Sequence, residues 1–279
     1  VLPALLAAVM AAGCGSSSHP REATRTSTRA GAGQVANGPP AAPAVVHVAP
    51  SHRAVAVLMY HVIAPPPPGA KYAGLWVAPE ALRAQVAALA AAGYTGVTLD
   101  TVLAAWRGRA RLPRRPVVLS FDDGYLSQGV AAGDVLRAAH WPGVLNLAWH
   151  NLGTPGGLTR GRVRTMIRDG WEIDAHSLTH PDLTTLGAEA LKREVAGSRA
   201  AIAHAFGVPV NAFCYPAGRF GPAVEAAVRA AGYRAATTEL PGAARPAGDR
   251  YALPRIRVDA GDSAETVVKR VRSALGSAA

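Results

Sequence analysis

The chain of 279 residues is 49% hydrophobic, enough to bury a large core, which excludes wholesale disorder. Its formal charge is +11, and all but three of its 29 basic residues are arginine. That balance fits an anionic neighbour such as envelope polymer, membrane headgroups or nucleic acid, or else an Arg- and Ala-rich proteome. Two cysteines exclude a disulfide-dense scaffold and a four-Cys zinc site, so any metal must be held by His and carboxylates.

Residues 1–13 form an apolar run too short to span a bilayer. They fit the apolar part of a secretory signal, the alternative being a buried apolar helix. Ala11-Ala12-Gly13-Cys14 resembles a bacterial lipobox. That resemblance implies a signal segment over 1–14, lipid on Cys14 and an extracytoplasmic protein, membrane-anchored or secreted. Cys214 would then lack an intramolecular partner. Residues 15–52 are rich in Ser, Thr, Ala, Gly and Pro without apolar periodicity and are expected to be a disordered tether. The folded domain is expected over 53–279.

From there strand-like and helix-like segments alternate. A strand is predicted over 55–60, then a Pro-rich loop, a helix from Pro79 to about 92, a short strand over 96–99 and a short helix over 101–106. Strands follow at 117–121, 144–149, 171–175, 212–215, 233–238 and 253–258. Helices are expected at 126–139, 160–168, 188–206, 222–231 and 264–275. The alternation implies parallel strands with helical crossovers, and about seven units in one domain suit a distorted (β/α) barrel of α/β class. Chemistry in such barrels sits at the C-terminal ends of strands.

The residues at those ends are selective. Asp122-Asp123-Gly124-Tyr125 follows one strand, His176-Ser-Leu-Thr-His180 another, Pro216-Ala217-Gly218 a third, and His61 ends the first. Adjacent carboxylates repel one another, and a divalent cation or shared proton relieves the cost, although Asp-Asp-Gly also makes ordinary turns. Histidines at i and i+4 on one helical turn can chelate a metal, and equally can be capping or surface residues. Two His and one Asp make a facial triad with open positions, leaving the other Asp free for proton transfer.

Val118-Leu-Ser-Phe-Asp-Asp-Gly-Tyr125 resembles the first motif of the polysaccharide deacetylase (NodB-homology, carbohydrate esterase family 4) proteins. Residues 171–183, with His176-x-x-x-His180, resemble its second motif, and residues 213–218 its third. Leu58-Met-Tyr-His61 and Leu253-Pro-Arg-Ile-Arg257 resemble flanking segments of its bacterial envelope and poly-N-acetylglucosamine deacetylase-type members. The resemblance implies hydrolytic removal of acyl groups, most often N-acetyl, from a polysaccharide, with a divalent metal, usually Zn2+, in place of which Co2+, Ni2+ or Mn2+ can serve. It implies Asp122 as general base, Asp123, His176 and His180 as metal ligands, and the Ala217 backbone N–H as oxyanion donor.

The third motif departs from the family pattern. Cys214 stands where many members have Arg, and Ala217 where they have an aromatic residue; Arg255 or Arg257 is left to orient the catalytic Asp. The usual C-terminal catalytic His is absent, no His following His204. His61 fits the circularly permuted members and is expected as general acid, with His150 in reserve. Asp174, Tyr125, Tyr215 and Arg255 are expected to support the site or substrate. Trp76, Tyr125, Trp149 and Tyr215 are sugar-stacking or core aromatics. The arginines at 107–115 are expected on a solvated loop at the opposite barrel end. A monomer is expected, and no nucleic-acid module is recognisable. A carbohydrate-binding pseudoenzyme and an O-acetyl, xylan-type esterase remain the alternatives.

Overall fold

The structure, a computed structural model, describes residues 48–276; the signal, Cys14 and the tether up to residue 47 lie outside the described residues. The strands are β1 (Ala56–Tyr60), β2 (Thr95–Gly96), β3 (Pro116–Asp123), β4 (Val144–Leu147), β5 (Glu172–Ala175), β6 (Ala212–Cys214), β7 (Ala235–Pro241) and β8 (Leu253–Arg257). The helices are α1 (Pro79–Ala91), α2 (Leu99–Trp106), α3 (Gly133–Ala138), α4 (Arg160–Arg168), α5 (Ala188–Phe206), α6 (Pro222–Ala230) and α7 (Ala264–Leu275). All strand pairings are parallel, and β1 pairs with both β3 and β8, closing a seven-stranded ring with β2 set against the lower end of β3. This is the expected barrel.

Local sequence explains the helix starts. Pro79 opens α1, and the side chains of Thr98, Thr159 and Ser263 accept hydrogen bonds from the backbone N–H groups of Thr101, Arg162 and Thr266, capping α2, α4 and α7. One strand prediction gives way here. Leu99 is the first residue of α2 rather than the end of a strand, because the Thr98 cap commits the chain to a helix there. The segment predicted as one helix from 126 winds as a π-turn over Gln128–Ala132 before α3.

Strand parity builds two core layers. Val117, Leu119 and Phe121 of β3, Leu145 and Leu147 of β4, Ile173 and Ala175 of β5, and Phe213 pack outward beneath the helices. Val55, Val57, Val118, Val144, Ala212, Ala235 and Leu253 fill the lower lumen. The same alternation aims Ser120, Asp122, Asn146, Asp174, His176, Cys214, Thr237 and Arg255 into the upper lumen, and all are buried. The lumen thus changes from apolar to polar toward the mouth, and the polar end is where the chemistry-bearing residues converge.

The domain begins slightly before the boundary expected at residue 53. The Val48 N–H donates to the Gly108 carbonyl and the Ser51 N–H to the Ala105 carbonyl, so residues 48–52 are part of the barrel's lower end rather than tether. No helix among the described residues is long and apolar enough to cross a membrane.

Candidate active site

Asp122 ends the inward-facing register of β3 and is the most heavily coordinated carboxylate in the mouth. Arg255 reaches it bidentately, Nη1 to Oδ1 at 2.8 Å and Nη2 to Oδ2 at 2.7 Å, and Asn146 Nδ2 donates to Oδ1 at 2.7 Å. Arg255 is itself buried and is further tied to the Thr238 carbonyl and Ser120 Oγ. Burial alone would raise the Asp122 pKa, but the paired guanidinium, helped by His61 and His176, outweighs it and holds the carboxyl well below the usual carboxylate range. His61 Nε2 lies 3.9 Å from Asp122 Oδ2. Burial lowers the His61 pKa, and the neighbouring aspartates only partly offset it.

Asp123 turns away from the strand at φ 79°. That break aims its carboxylate at the second motif, where Oδ1 lies 3.5 Å from both His176 Nε2 and His180 Nε2. The two histidines do not share a helical turn. His176 ends the inward register of β5, and a loop with Ser177 at φ 64° and His180 at φ 58° brings His180 back beside it. Together with Ala217 at φ 50°, these make four of the six non-glycine residues with positive φ among the described residues, all in the site's loops. Strain of this kind persists where the surroundings over-determine it.

The donor set fits a divalent metal. Ligand atoms of Asp123, His176 and His180 lie within 4.8 Å of one another. His176 Nδ1 lies 2.7 Å from the Cys214 carbonyl oxygen, which accepts the Nδ1–H hydrogen bond and so leaves Nε2 free to ligate. Ligand atoms of Asp122, His176 and Cys214 also fall within 4.8 Å, but Arg255 Nη2, which lies 3.2 Å from Cys214 Sγ and binds Asp122, already supplies the positive charge there. Asp123, His176 and His180 are therefore the residues that would hold the ion.

Several supporting residues escape a motif-based reading. Glu194 on α5 accepts hydrogen bonds at Oε2 from the Leu178 and Thr179 N–H groups, both 2.9 Å, and at Oε1 from Thr179 Oγ1. It pins the loop between the two histidines. Gln128 donates to the carbonyls of both His61 and Asp122, and Asn151 Nδ2 to that of Asp123. Only the inward parity of Asn146 carried a sequence signal; the other contacts come from distant elements. Glu194→Gln removes one acceptor from this clamp, so metal affinity should fall about 10- to 100-fold. A chelator competition titration measures this, and unchanged affinity would show the loop to be held without Glu194.

Two expected supporting residues lie elsewhere. Tyr215 has the outward parity of Phe213, is fully buried, stacks on Phe220 with ring centroids 4.8 Å apart, and donates its hydroxyl to the Tyr251 carbonyl at 2.9 Å. It is a wall residue between barrel and helices and does not line a substrate groove. Asp174 faces the lumen but accepts from the Ala212 N–H at 2.8 Å, bracing the start of β6 below the site. Burial pushes its carboxyl up to about 6, and burial beside Asp174 also raises Glu172.

Tyr125 is half-buried beside Asp123, and burial followed by that carboxylate pushes its phenol up to about 12. Ala217 is exposed in the turn after β6. Arg257 pairs with Asp259 at 2.8 Å, so Arg255 alone of the two reaches Asp122. His150 is exposed, its N–H bonded to the Leu178 carbonyl. Trp149 is half-buried under the Arg160 guanidinium, and Trp76 is also half-buried.

Fold and site together define a seven-stranded (β/α) barrel with a two-His, one-Asp cluster beside an arginine-clamped carboxylate at its C-terminal mouth. The sequence profile of the polysaccharide deacetylases matches residues 109–236, which hold the first two motifs and the third up to Gly218. A Bacillus subtilis protein, YxkH, assigned by name to the polysaccharide deacetylases, is 29% identical over 147 residues, 53% of each chain. The chain therefore spans about half the length of that relative. The poly-beta-1,6-N-acetyl-D-glucosamine N-deacetylase of Escherichia coli K12 is 44% identical over 64 residues, 23% of this chain and 10% of that protein. The Streptococcus pyogenes deacetylase PplD superposes with TM-score 0.74 at 22% identity, over 79% of this chain and 99% of its own, and shares the fold.

Proposed function

We propose that this protein is a metal-dependent hydrolase that removes N-acetyl groups from an extracytoplasmic N-acetylglucosamine-type polysaccharide. The observation that carries the reading is the convergence of Asp123, His176 and His180 beside Asp122, a carboxylate kept ionised by Arg255. A carbohydrate binder without turnover needs neither the triad nor the clamped base. The E. coli relative, named for N-deacetylation of a poly-N-acetylglucosamine, supports the substrate class.

Asp123, His176 and His180 would hold a divalent cation, which would supply Lewis acidity toward the acyl carbonyl and a water. Asp122 takes the proton of the attacking water. The Ala217 N–H, in the turn after β6, is the donor we assign to the developing oxyanion. Arg255 makes protonated Asp122 a strong acid, and at 3.9 Å its proton can pass to His61, whose resting imidazole burial keeps neutral. His61 then delivers that proton to the departing amine, which leaves poorly unless protonated, and both groups are reset. A chain lipidated at Cys14 would act as a membrane-tethered monomer near its glycan, with no nucleic-acid partner.

The test is acetate release from poly-N-acetylglucosamine, peptidoglycan, chitin oligomers and acetylated xylan after metal reconstitution. Release from the N-acetylglucosamine polymers is expected. Asp122→Asn should retain metal and lose activity, and His61→Gln should lower turnover by about 100-fold or more. Release from xylan alone would make this an O-acetyl esterase. Glycan binding without acetate release would make it a pseudoenzyme.

A further inference from the structure

The barrel end opposite the site carries an arginine face that the proposed chemistry does not use. Arg114 and Arg115 lead directly into β3 and Arg234 into β7, while Arg53 and Arg250 lie just ahead of β1 and β8, and all are exposed. Arg107, Arg109 and Arg111, also exposed, lie on the turn between α2 and β3 at the same end. Among the described residues none of these eight joins an ion pair. Arg107 is close enough to Arg234, Arg250 and Arg109 for their charges, after partial burial, to lower its pKa. The nearby Asp100 carboxylate takes the Asn211 amide at 2.6 Å. Eight like charges gathered without carboxylate partners repel one another, and an external anion relieves that repulsion.

The geometry points to an anionic lipid bilayer as that partner: this face lies on the membrane and turns the catalytic mouth away from it. The eight arginines spread over the N-terminal ends of β1, β3, β7 and β8, beyond the cavity of about 740 Å³ that Ser51, His52, Arg53, Arg111 and Leu112 line there, and that spread suits a planar charged surface. Half-buried Trp106, Leu112 and Pro113 lie among the arginines, supplying the amphipathic edge expected at an interface. The chain also enters the barrel here, through the hydrogen bonds of Val48 and Ser51 to Gly108 and Ala105. A tether drawn to a membrane would thus pull this face, and not the mouth, toward the lipid.

The test is co-sedimentation of the full chain, produced without acylation, with vesicles of phosphatidylcholine alone or mixed with about one-third phosphatidylglycerol. Partitioning onto the anionic vesicles is expected, weakening as salt shortens the Debye length. The variant Arg107→Gln/Arg109→Gln/Arg111→Gln/Arg234→Gln should lose about tenfold or more of that partitioning. An equal-charge variant on α4 and α5, Arg164→Gln/Arg168→Gln/Lys192→Gln/Arg193→Gln, should lose much less. Circular dichroism verifies folding, and Arg109→Glu/Arg111→Glu, at a turn without described side-chain hydrogen bonds, should reproduce the loss if the quadruple variant unfolds. Equal losses in both quadruple variants would reduce the effect to net charge and overturn the proposal. So would equal partitioning onto both vesicle types, or retention on DNA or polyphosphate without vesicle binding.

Discussion

Asp123→Ala is expected to abolish stoichiometric zinc binding and to bring acetate release to background, with the barrel intact. Asp123 Oδ1 is the oxygen facing both His176 and His180 at 3.5 Å, so its loss leaves two imidazoles and no carboxylate to ligate a dication. The drop in affinity should exceed the roughly 10- to 100-fold that follows loss of an outer hydrogen-bonding partner of a metal ligand. Asp123 has φ 79°, so Ala there adds backbone strain of about 1–2 kcal/mol. Asp123→Asn tolerates that conformation better and separates strain from ligation: it should keep native stability and still lose metal. Metal analysis after dialysis, with a thermal melt on each variant, gives the answer. Unchanged zinc stoichiometry in both variants would remove Asp123 from the ligand set.

Arg255→Met should be the most destabilising single change at the site. It strands the Asp122 carboxylate, fully buried, with only Asn146 and the Cys214 thiol as hydrogen-bond donors and His61 Nε2 3.9 Å away. Breaking a buried pair in this way costs about 3–5 kcal/mol. The pH dependence has a definite sign. In the native protein Arg255 depresses the Asp122 pKa below its unfolded value, so the pair's contribution is present above that value, near 3.9, and is lost only as pH falls through the still lower folded value.

In Arg255→Met, burial dominates and raises the carboxyl, so the folded state binds the proton more tightly and the variant gains stability as pH falls through the raised value. The stability gap between the two proteins should therefore be larger at pH 7 than at pH 5. Urea unfolding at both pH values measures it. The double variant Asp122→Asn/Arg255→Met should recover part of the loss, since no charge then remains buried. A gap that is constant with pH, with no recovery in the double variant, would assign the loss to packing of the Arg255 stem.

The order of strands and helices was legible because periodicity, caps and turn residues agree locally: Pro79, Thr159 and Ser263 mark helix starts in the sequence and do so in the fold. The errors have local causes. Thr98 reads as the middle of a strand until its hydroxyl caps α2. The His176–His180 spacing suggests a helical turn, whereas two left-handed residues achieve the same convergence from a loop. The outward face of Tyr215 was implicit in the alternation Phe213-Cys214-Tyr215, and it overrides the analogy that put this ring at the substrate.

By itself the sequence determined the chemistry available and its rough place, because motif residues at strand ends and a period of two fix which side chains face a lumen. It could not choose between Arg255 and Arg257, which share inward parity. Ring closure of β8 against β1 made that choice: the register carries Arg257 toward the rim, where it pairs with Asp259, and leaves Arg255 deep enough to rise into Asp122. Glu194 and Asn151 likewise meet the site only through long-range packing, and Gln128, six residues after Asp122, reaches the His61 carbonyl in the same way. The eight scattered arginines become one face for the same reason: parallel strands closed into a ring bring their N-termini to one end, whatever their separation along the chain.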